Sequence, residues 1–402
     1  MQPEAGEQIL RVLERHRRER HLIALQDYPD PDAISSAMAH QKLSRAFDIH
    51  TAIVYAGEVS HHQNRKLVDA LKVDLHHLRD GLEAADWDGA AFVDNQGTTC
   101  AYLARVLARS AIPTVLVVDH HEGETRLRPE ASLVEAVGAT ATIYSELYRD
   151  IRLPVEPTSP EGRLLASGLL YGILTDTQQL ATASPRDRRA AAWLTSYSDT
   201  GLLREVAQQP VPNESLEILR RAEATRVVRR GFAFAGVGYL PAIHRDSLPQ
   251  AATRLLAQGG AHTAVVFGIV RDWRYLETVA GSLRTVLPTP TPHDFLQEAL
   301  GSRVDGEVLS GGRAFSGGFE IPVGMSTRGS SIESQMVRWA YYEHLLLARF
   351  LQAAEANAHQ VGDEKPEAVV LDSVPQFPDA FNRQSLVWSV LSRYERGRAT
   401  RR

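Results

Sequence analysis

Asp119-His120-His121 places an acid and two imidazoles at the end of an apolar, β-branched run, residues 114–118. Carboxylate and imidazole side by side can hold a divalent metal or move a proton. The chain repeats the arrangement. Residues 21–25 run into Gln26, Asp27, Asp30 and Asp32; residues 90–93 run into Asp94; residues 169–174 run into Thr175 and Asp176. Taken singly, an Asp after a strand is as readily the cap of the next helix, and a His pair a solvated turn. Taken together, the segments can converge on one edge of one sheet, and carboxylates that close repel unless cations lie between them. Oxygen-rich ligands with one imidazole favour Mn²⁺ or Mg²⁺ over zinc. Such ions can activate a water for hydrolysis, without a serine or cysteine nucleophile.

The elements that must position these residues follow from periodicity. Residues 114–118 read as a buried strand of a parallel sheet, which places ligands beyond the carboxyl ends of its strands. Residues 7–18 have helical spacing, and the first strand follows at His21. Residues 49–55 and 90–93 read as further strands, and residues 67–75 as a helix and an edge segment. Residues 101–110, 139–148, 162–174 and 185–197 read as helices, so Asp176 leaves a helix end. In the segment after Gln26 two prolines hold the loop extended, Asp30 and Asp32 fall on one side of it, and Asp32 caps the helix that follows. Alternating strand and helix is the signature of a parallel α/β sheet.

After connecting helices at 201–207 and 214–229, a second pattern begins. It has strands at 232–239, 263–270 and 275–283, helices at 249–256 and 292–300, and a glycine-rich turn, Ser310-Gly-Gly-Arg-Ala-Phe-Ser-Gly-Gly318, leading into a strand. A glycine turn lets backbone N–H groups approach a phosphate, and Arg284 and Arg313 can grip it in bidentate fashion; alone, the glycines are as readily a plain β-turn. Residues 331–355 form a strong helix. Residues 356–378 read as a linker, and Leu386, Val387, Val390, Leu391 and Tyr394 as an apolar stripe on a last helix that packs on the body or on a second subunit.

The chain of 402 residues is long enough for two cores. A hydrophobic fraction of 44% with 23% charged residues is that of a soluble globular protein. A net charge of −5 argues against a polycation that coats DNA, so a nucleic-acid partner would be short or held by a local basic cleft. The single cysteine, Cys100, excludes an internal disulfide and a cysteine-based zinc site. With no apolar run of membrane-spanning length and a charged N-terminus, the expected location is the cytoplasm.

Asp30-Pro31-Asp32, Asp94, Asp119-His120-His121 and Asp176, in that order, resemble the motifs of the DHH phosphoesterase superfamily. The glycines at 310–318 resemble those of the DHH-associated nucleic-acid-binding domain. Together they resemble the nanoRNA phosphodiesterases and RecJ-like exonucleases, over about residues 20–324. The resemblance implies a parallel-sheet catalytic domain at 1–200 and a smaller α/β substrate domain at 229–330 with a cleft between the two; helical spacing adds linker helices at 201–228 and a helical extension at 331–402. It implies two divalent metals, Mn²⁺ before Mg²⁺. Asp94 would bridge them, Gln26 and Asp30 would complete one, and Asp32, His120 and Asp176 the other, with Asp119 among the metal-binding acids. His121 would face the substrate phosphate, as a catalytic residue with Asp94. Ser282, Arg284, Gly311, Gly312 and Arg313 would hold the nucleotide. The chain departs from the family pattern at Gln26 and at Arg313, where a histidine is usual.

The leading expectation is therefore a phosphodiesterase that trims short single-stranded oligonucleotides to mononucleotides, with 3′-phosphoadenosine 5′-phosphate as a further substrate and a homodimer as its assembly. Two other readings compete with it. One is a manganese-dependent inorganic pyrophosphatase, which shares the first-domain motifs. The other is a nucleotide-binding sensor whose metal site is weakened at Gln26.

Overall fold

The computed structural model describes residues 3–357 except 82, 84–85, 122–124, 126, 151–156, 302–309, 314 and 327–330. It divides into two compact units, Met1–Val211 and Pro212–Arg402. The expected linker at 356–378 and the apolar stripe at 386–394 lie, but for residues 356 and 357, outside the described residues.

The first unit opens with helix α1 (Pro3–Arg15) and strand β1 (Arg20–Ala24). Then follow α2 (Pro31–Arg45), β2 (His50–Tyr55), α3 (His62–Leu71), β3 (Leu75–His77), β4 (Gly89–Val93), α4 (Ala101–Arg109), β5 (Thr114–Asp119) and β6 (Ala131–Val134). Helices α5 (Thr140–Asp150), α6 (Pro160–Asp176), α7 (Pro185–Thr195) and α8 (Thr200–Ala207) complete it. The strands form one parallel sheet in the order β3-β2-β1-β4-β5-β6. Alternate residues build its two cores. Ile23, Ile53, Ala91, Leu116 and Val118 face α2, α5 and α6, whereas Leu22, Val54, Phe92 and Val117 pack with Leu103 and Leu107 of α4. Burial on both faces is why these strands read as continuous apolar runs.

The strand order reverses beside β1. The chain goes from β1 outward to β2 and β3, then returns to lay β4 on the other side of β1. Loops leaving β1 and β4 therefore part in opposite directions and open a crevice at the carboxyl edge, the usual ligand site of such sheets. Asn95 spans it: its Nδ2 donates to Ala24 O and Val93 O, both at 3.0 Å.

The second unit contains α9 (Asn213–Thr225), β7 (Val227–Arg229), β8 (Phe232–Pro241), α10 (Ser247–Ala257), β9 (Thr263–Arg271) and β10 (Leu276–Thr285). It continues with α11 (Pro292–Leu300), β11 (Ser310–Arg313), β12 (Ser316–Ser326) and α12 (Ile332–Asn357). Its mixed sheet runs β11-β12-β10-β9-β8-β7, with only β8 and β9 parallel. Phe232, Phe234, Phe295 and Phe350 stack in its core. The sequence reading has a glycine turn where the structure has a hairpin: Gly311 pairs with Gly318 and Gly312 with Gly317. Glycine carries no side-chain alternation, so a strand built of it leaves no period-2 trace.

Candidate metal centre

Each acid of the centre arrives on its own element. Asp119 is the last residue of β5, Asp94 follows β4, Asp32 lies in the first turn of α2, and Asp176 ends α6. Asp94 holds a left-handed backbone, φ 60°, a conformation an ordinary side chain adopts only when its surroundings impose it. Thr140 Oγ1 donates to its Oδ1 at 2.9 Å.

The Asp30-Pro31-Asp32 segment corrects the sequence reading. Asp30, not Asp32, caps α2: its Oδ1 accepts from Ala33 N at 2.9 Å, and Pro31 takes the first helical position, where its fixed φ starts the helix early. Only Asp30 is extended, so the two carboxylates do not share a side of a strand-like loop. Asp32 is instead buried and held across the fold. Its Oδ2 accepts from Thr140 N and its Oδ1 from Ala141 N, each at 2.7 Å, at the N-terminus of α5.

His120 stands at the middle. Its Nδ1 lies 3.1 Å from Val137 O, which fixes the tautomer with the proton on Nδ1. Its Nε2 then faces three carboxylates: Asp176 Oδ2 at 3.4 Å, Asp94 Oδ1 at 3.5 Å and Asp32 Oδ2 at 3.7 Å. Asp94, Asp119, His120 and His121 form a second convergent group of donor atoms. His121 Nδ1 lies 2.8 Å from Asp119 Oδ1, and that oxygen also accepts from His120 N.

The electrostatics are those of a site built for cations. Burial, then the charges of Asp32, Asp30, Asp176 and Asp119, hold the Asp94 carboxyl well above the usual carboxylate range. Burial and Asp176 raise Asp32 too, against the pull of His120 and two backbone N–H groups. Burial alone would raise Asp119, but hydrogen bonds from His121 and from the backbone outweigh it and hold it low. Oδ2 of Asp94 and Oδ2 of Asp119 are both buried without a hydrogen-bond partner among the described residues. Two unmatched buried carboxylate oxygens and an imidazole with its lone pair turned inward fit a divalent cation.

The structure thus brings together Asp32, Asp94, Asp119, His120, His121 and Asp176. Asp30 is near enough for its charge to act on Asp94. Gln26 stands half-buried two residues beyond β1. Close approaches hold these loops in place. A Cβ on Gly57 would lie 1.8 Å from Asp27 O, and one on Gly172 would lie 3.0 Å from Asp32 Cα, so α6 carries Asp176 to the centre only because position 172 is bare.

Three residues absent from the sequence reading of the site support it. Asn95 joins the ends of β1 and β4, and Gln96 Nε2 donates to His121 O at 2.8 Å. Asp187 is fully buried. Its carboxylate accepts from Gly138 N, Thr142 Oγ1 and Ser184 N, and so fixes the turn whose next N–H groups hold Asp32. The one sequence signal is its capping box, Ser184-Pro-Arg-Asp187.

In the second unit, Ser282 and Arg284 on β10 line a cavity of about 160 Å³ with Arg245, Leu248 and Gly318. Burial depresses the Arg284 guanidinium, with Asp246 opposing, but an arginine stays cationic. Arg245, which the sequence reading lacks, donates from Nη2 to Glu320 at 2.6 Å. Gly311 and Gly312 lie exposed on the edge strand β11, and the Arg313 side chain lies outside the described residues.

No protein-family model matches the sequence. The chain is 31% identical over 299 residues to an uncharacterised protein of Methanocaldococcus jannaschii, covering 74% of this chain and 57% of that one. It is 30% identical over 170 residues to a probable manganese-dependent inorganic pyrophosphatase of Deinococcus radiodurans, covering 41% of this chain and 50% of that one. The chain therefore spans about half the length of the curated relatives it matches. An exopolyphosphatase-related protein from Bacteroides fragilis shares the fold, with a TM-score of 0.61 at 14% identity over 89% of this chain and 97% of that one. No helix among the described residues is long and apolar enough to cross a membrane. The order of acids and histidines along the chain, the sheet that gathers them and the pyrophosphatase relative agree in supporting the chain's likeness to the DHH phosphoesterase superfamily.

Proposed function

We propose that the chain is a two-metal phosphodiesterase that hydrolyses short single-stranded oligonucleotides to mononucleotides, with 3′-phosphoadenosine 5′-phosphate as a second substrate. The observation that carries the metal dependence is His120, whose Nε2 faces three carboxylates while its Nδ1 is held by Val137 O. Asp32, His120 and Asp176 would hold one ion, Gln26 and Asp30 would complete another, and Asp94 would serve both. Divalent ions there, Mn²⁺ or Mg²⁺, would supply activated water and neutralise the phosphate oxygens.

The chain's own residues do the rest. Thr140 and the N-terminus of α5 keep Asp94 and Asp32 aimed inward, so their charges need no reorganisation during reaction. Asp119 holds His121 by Nδ1, and the ring, 38% exposed, would act on the phosphate or the leaving oxygen. Arg245, Ser282 and Arg284 supply two cations and a hydroxyl suited to a nucleotide phosphate.

The pyrophosphatase relative favours a second reading, hydrolysis of inorganic pyrophosphate at the same centre. The test is one substrate panel with Mn²⁺ and with Mg²⁺: end-labelled oligomers from dinucleotides to long strands, 3′-phosphoadenosine 5′-phosphate, and pyrophosphate. Mononucleotide release, fastest from the shortest oligomers, is expected. Turnover of pyrophosphate with oligomers untouched would replace the proposal by the second reading.

A further inference from the structure

We infer that the opposite, N-terminal edge of the first sheet carries a separate transition-metal site, in which His16, Glu19 and His21 bind one Zn²⁺. Helix α1 ends at Arg15 and β1 begins at Arg20, and the chain reverses between them through Arg18 at φ 69°. The turn brings the rings of His16 and His21 to 5.4 Å between centroids, 66° apart in plane. Glu19 Oε2 sits between them, 2.7 Å from His16 Nδ1 and 2.9 Å from His21 Nε2. The three donor atoms all lie within 4.8 Å of one another. Ligand atoms of a tetrahedral zinc with bonds of about 2.0–2.1 Å are themselves about 3.3 Å apart, so small shifts seat an ion where two N–H protons now lie.

The surroundings support the same reading. The other nitrogen of His16, Nε2, is 2.7 Å from Glu130 Oε2, and Arg15 pairs with that carboxylate. A ligating imidazole is commonly oriented by such a carboxylate on its far nitrogen. His21 is 1% exposed, whereas His16 and Glu19 are 19% and 35% exposed, so the site has a rigid wall and an open side where water completes the shell. Two nitrogens and one carboxylate suit zinc, while the all-aspartate surroundings of His120 suit harder ions. The five residues of β1 separate the two edges by roughly 16 Å, so the sites share no ligand. An ion here would clamp α1 to β1 and, through Glu130, to the chain entering β6.

The test counts zinc on the full chain after equilibration with Zn²⁺ alone and gel filtration. It is paired with the visible absorption of the Co²⁺-loaded protein, which reports four-coordinate sites. His16→Gln and Glu19→Gln should each hold one equivalent fewer than wild type and lose one component of the Co²⁺ spectrum. Arg15→Ala, which alters no ligand, should keep the wild-type count. Unchanged circular dichroism establishes that the variants fold, and Glu19→Gln serves if His16→Gln does not. Equal zinc counts and equal Co²⁺ spectra in all four proteins would overturn the inference and leave a hydrogen-bonded histidine–glutamate cluster only.

Discussion

The two edges of the first sheet carry the same kinds of side chain in opposite proportions. At the amino edge two imidazoles meet two carboxylates, and Glu19 and Glu130 each accept from histidine nitrogens. At the carboxyl edge three aspartates crowd one imidazole nitrogen, and buried carboxylate oxygens of Asp94 and Asp119 find no donor among the described residues. The first set comes near to balancing its own charge. The second does not, and an unbalanced buried set is stable only with a counter-ion or with protons. What separates the nitrogen-rich edge from the acid-rich one here is thus the surplus of acceptors over donors.

The largest effect should come from removing the acid that most of the others press upon. Asp94→Ala deletes a carboxylate facing both His120 and Thr140, and charge neutralisation by a metal is worth several kcal/mol, about 10³-fold in rate or more. Hydrolysis should fall by that factor with little change in the urea midpoint, because the variant also relieves repulsion. Retention of near-wild-type turnover would show that the surplus at the carboxyl edge has no catalytic use.

The next effect comes from a residue that touches no substrate. Asp187→Asn keeps the shape of the side chain, but it loses the charge that gathers Gly138 N, Thr142 Oγ1 and Ser184 N. The turn that presents Thr140 and Ala141 to Asp32 should loosen. Outer-shell changes of this kind cost about 10–100-fold in metal affinity or activity. As Asp187 is a positioning residue, the loss should appear chiefly as a raised metal concentration for half-maximal rate, recovered at saturating metal. A loss that no metal concentration recovers would assign it a different role.

How much of this was legible in the sequence differs by residue. Asp94, Asp119 and His120 could be read because each follows an apolar run, and a buried parallel strand announces itself by β-branched residues. The reversal of strand order beside β1 could not, because topology is a property of the whole sheet. Asp187, Asn95 and Gln96 act through hydrogen bonds to backbone distant in sequence, which no local pattern records. Strand β6 is a short alternation of four residues, too brief to be told from a turn. At Asp30-Pro31-Asp32 the local rules compete: both acids are good caps, and the position of the proline decides between them.

A buried imidazole away from both edges sharpens the contrast. His40 on α2 is fully buried, has Tyr144 Oη 2.9 Å from its Nδ1, and pairs with no carboxylate among the described residues. Burial, aided by the charge of His21, pushes its pKa down to about 3. The folded chain therefore keeps His40 neutral below its ordinary pKa of 6.5, while the unfolded chain takes up the proton. Stability should fall as pH falls from 6.5 towards 3, by up to about 1.4 kcal/mol per pH unit from this group. His40→Gln, which can still accept from Tyr144, should flatten the fall by up to that amount between pH 6 and 4 in urea titrations. An unchanged slope would mean that His40 takes up its proton in the folded protein as well.

The smallest effect concerns Gln26, one of the two positions where the chain departs from the histidine usual in the superfamily it resembles. A neutral amide oxygen is a weaker donor to Mn²⁺ than an imidazole nitrogen, whereas Mg²⁺ prefers oxygen. The carboxyl edge, already rich in oxygen, would thereby move further from the nitrogen-rich set at the amino edge. One ion should be held loosely, and activity should need added metal. Asp27, next in sequence, is the competing carboxylate. Its backbone N–H is tied to Thr99 O at 3.0 Å and its carbonyl to Glu58 N at 2.8 Å, with Gly57 packed against that carbonyl. These ties fix the Asp27 backbone, so only a rotation of its side chain, which leaves them intact, could bring its carboxylate to the place of position 26. Gln26→His should lower the Mn²⁺ needed for half-maximal rate several-fold, within about tenfold, and should tilt the preference from Mg²⁺ towards Mn²⁺. Titrating activity against each metal in both proteins reads this directly. Identical curves would show that position 26 contributes no ligand, and would shift the completion of that ion to Asp30 and the unmatched oxygens of Asp94 and Asp119.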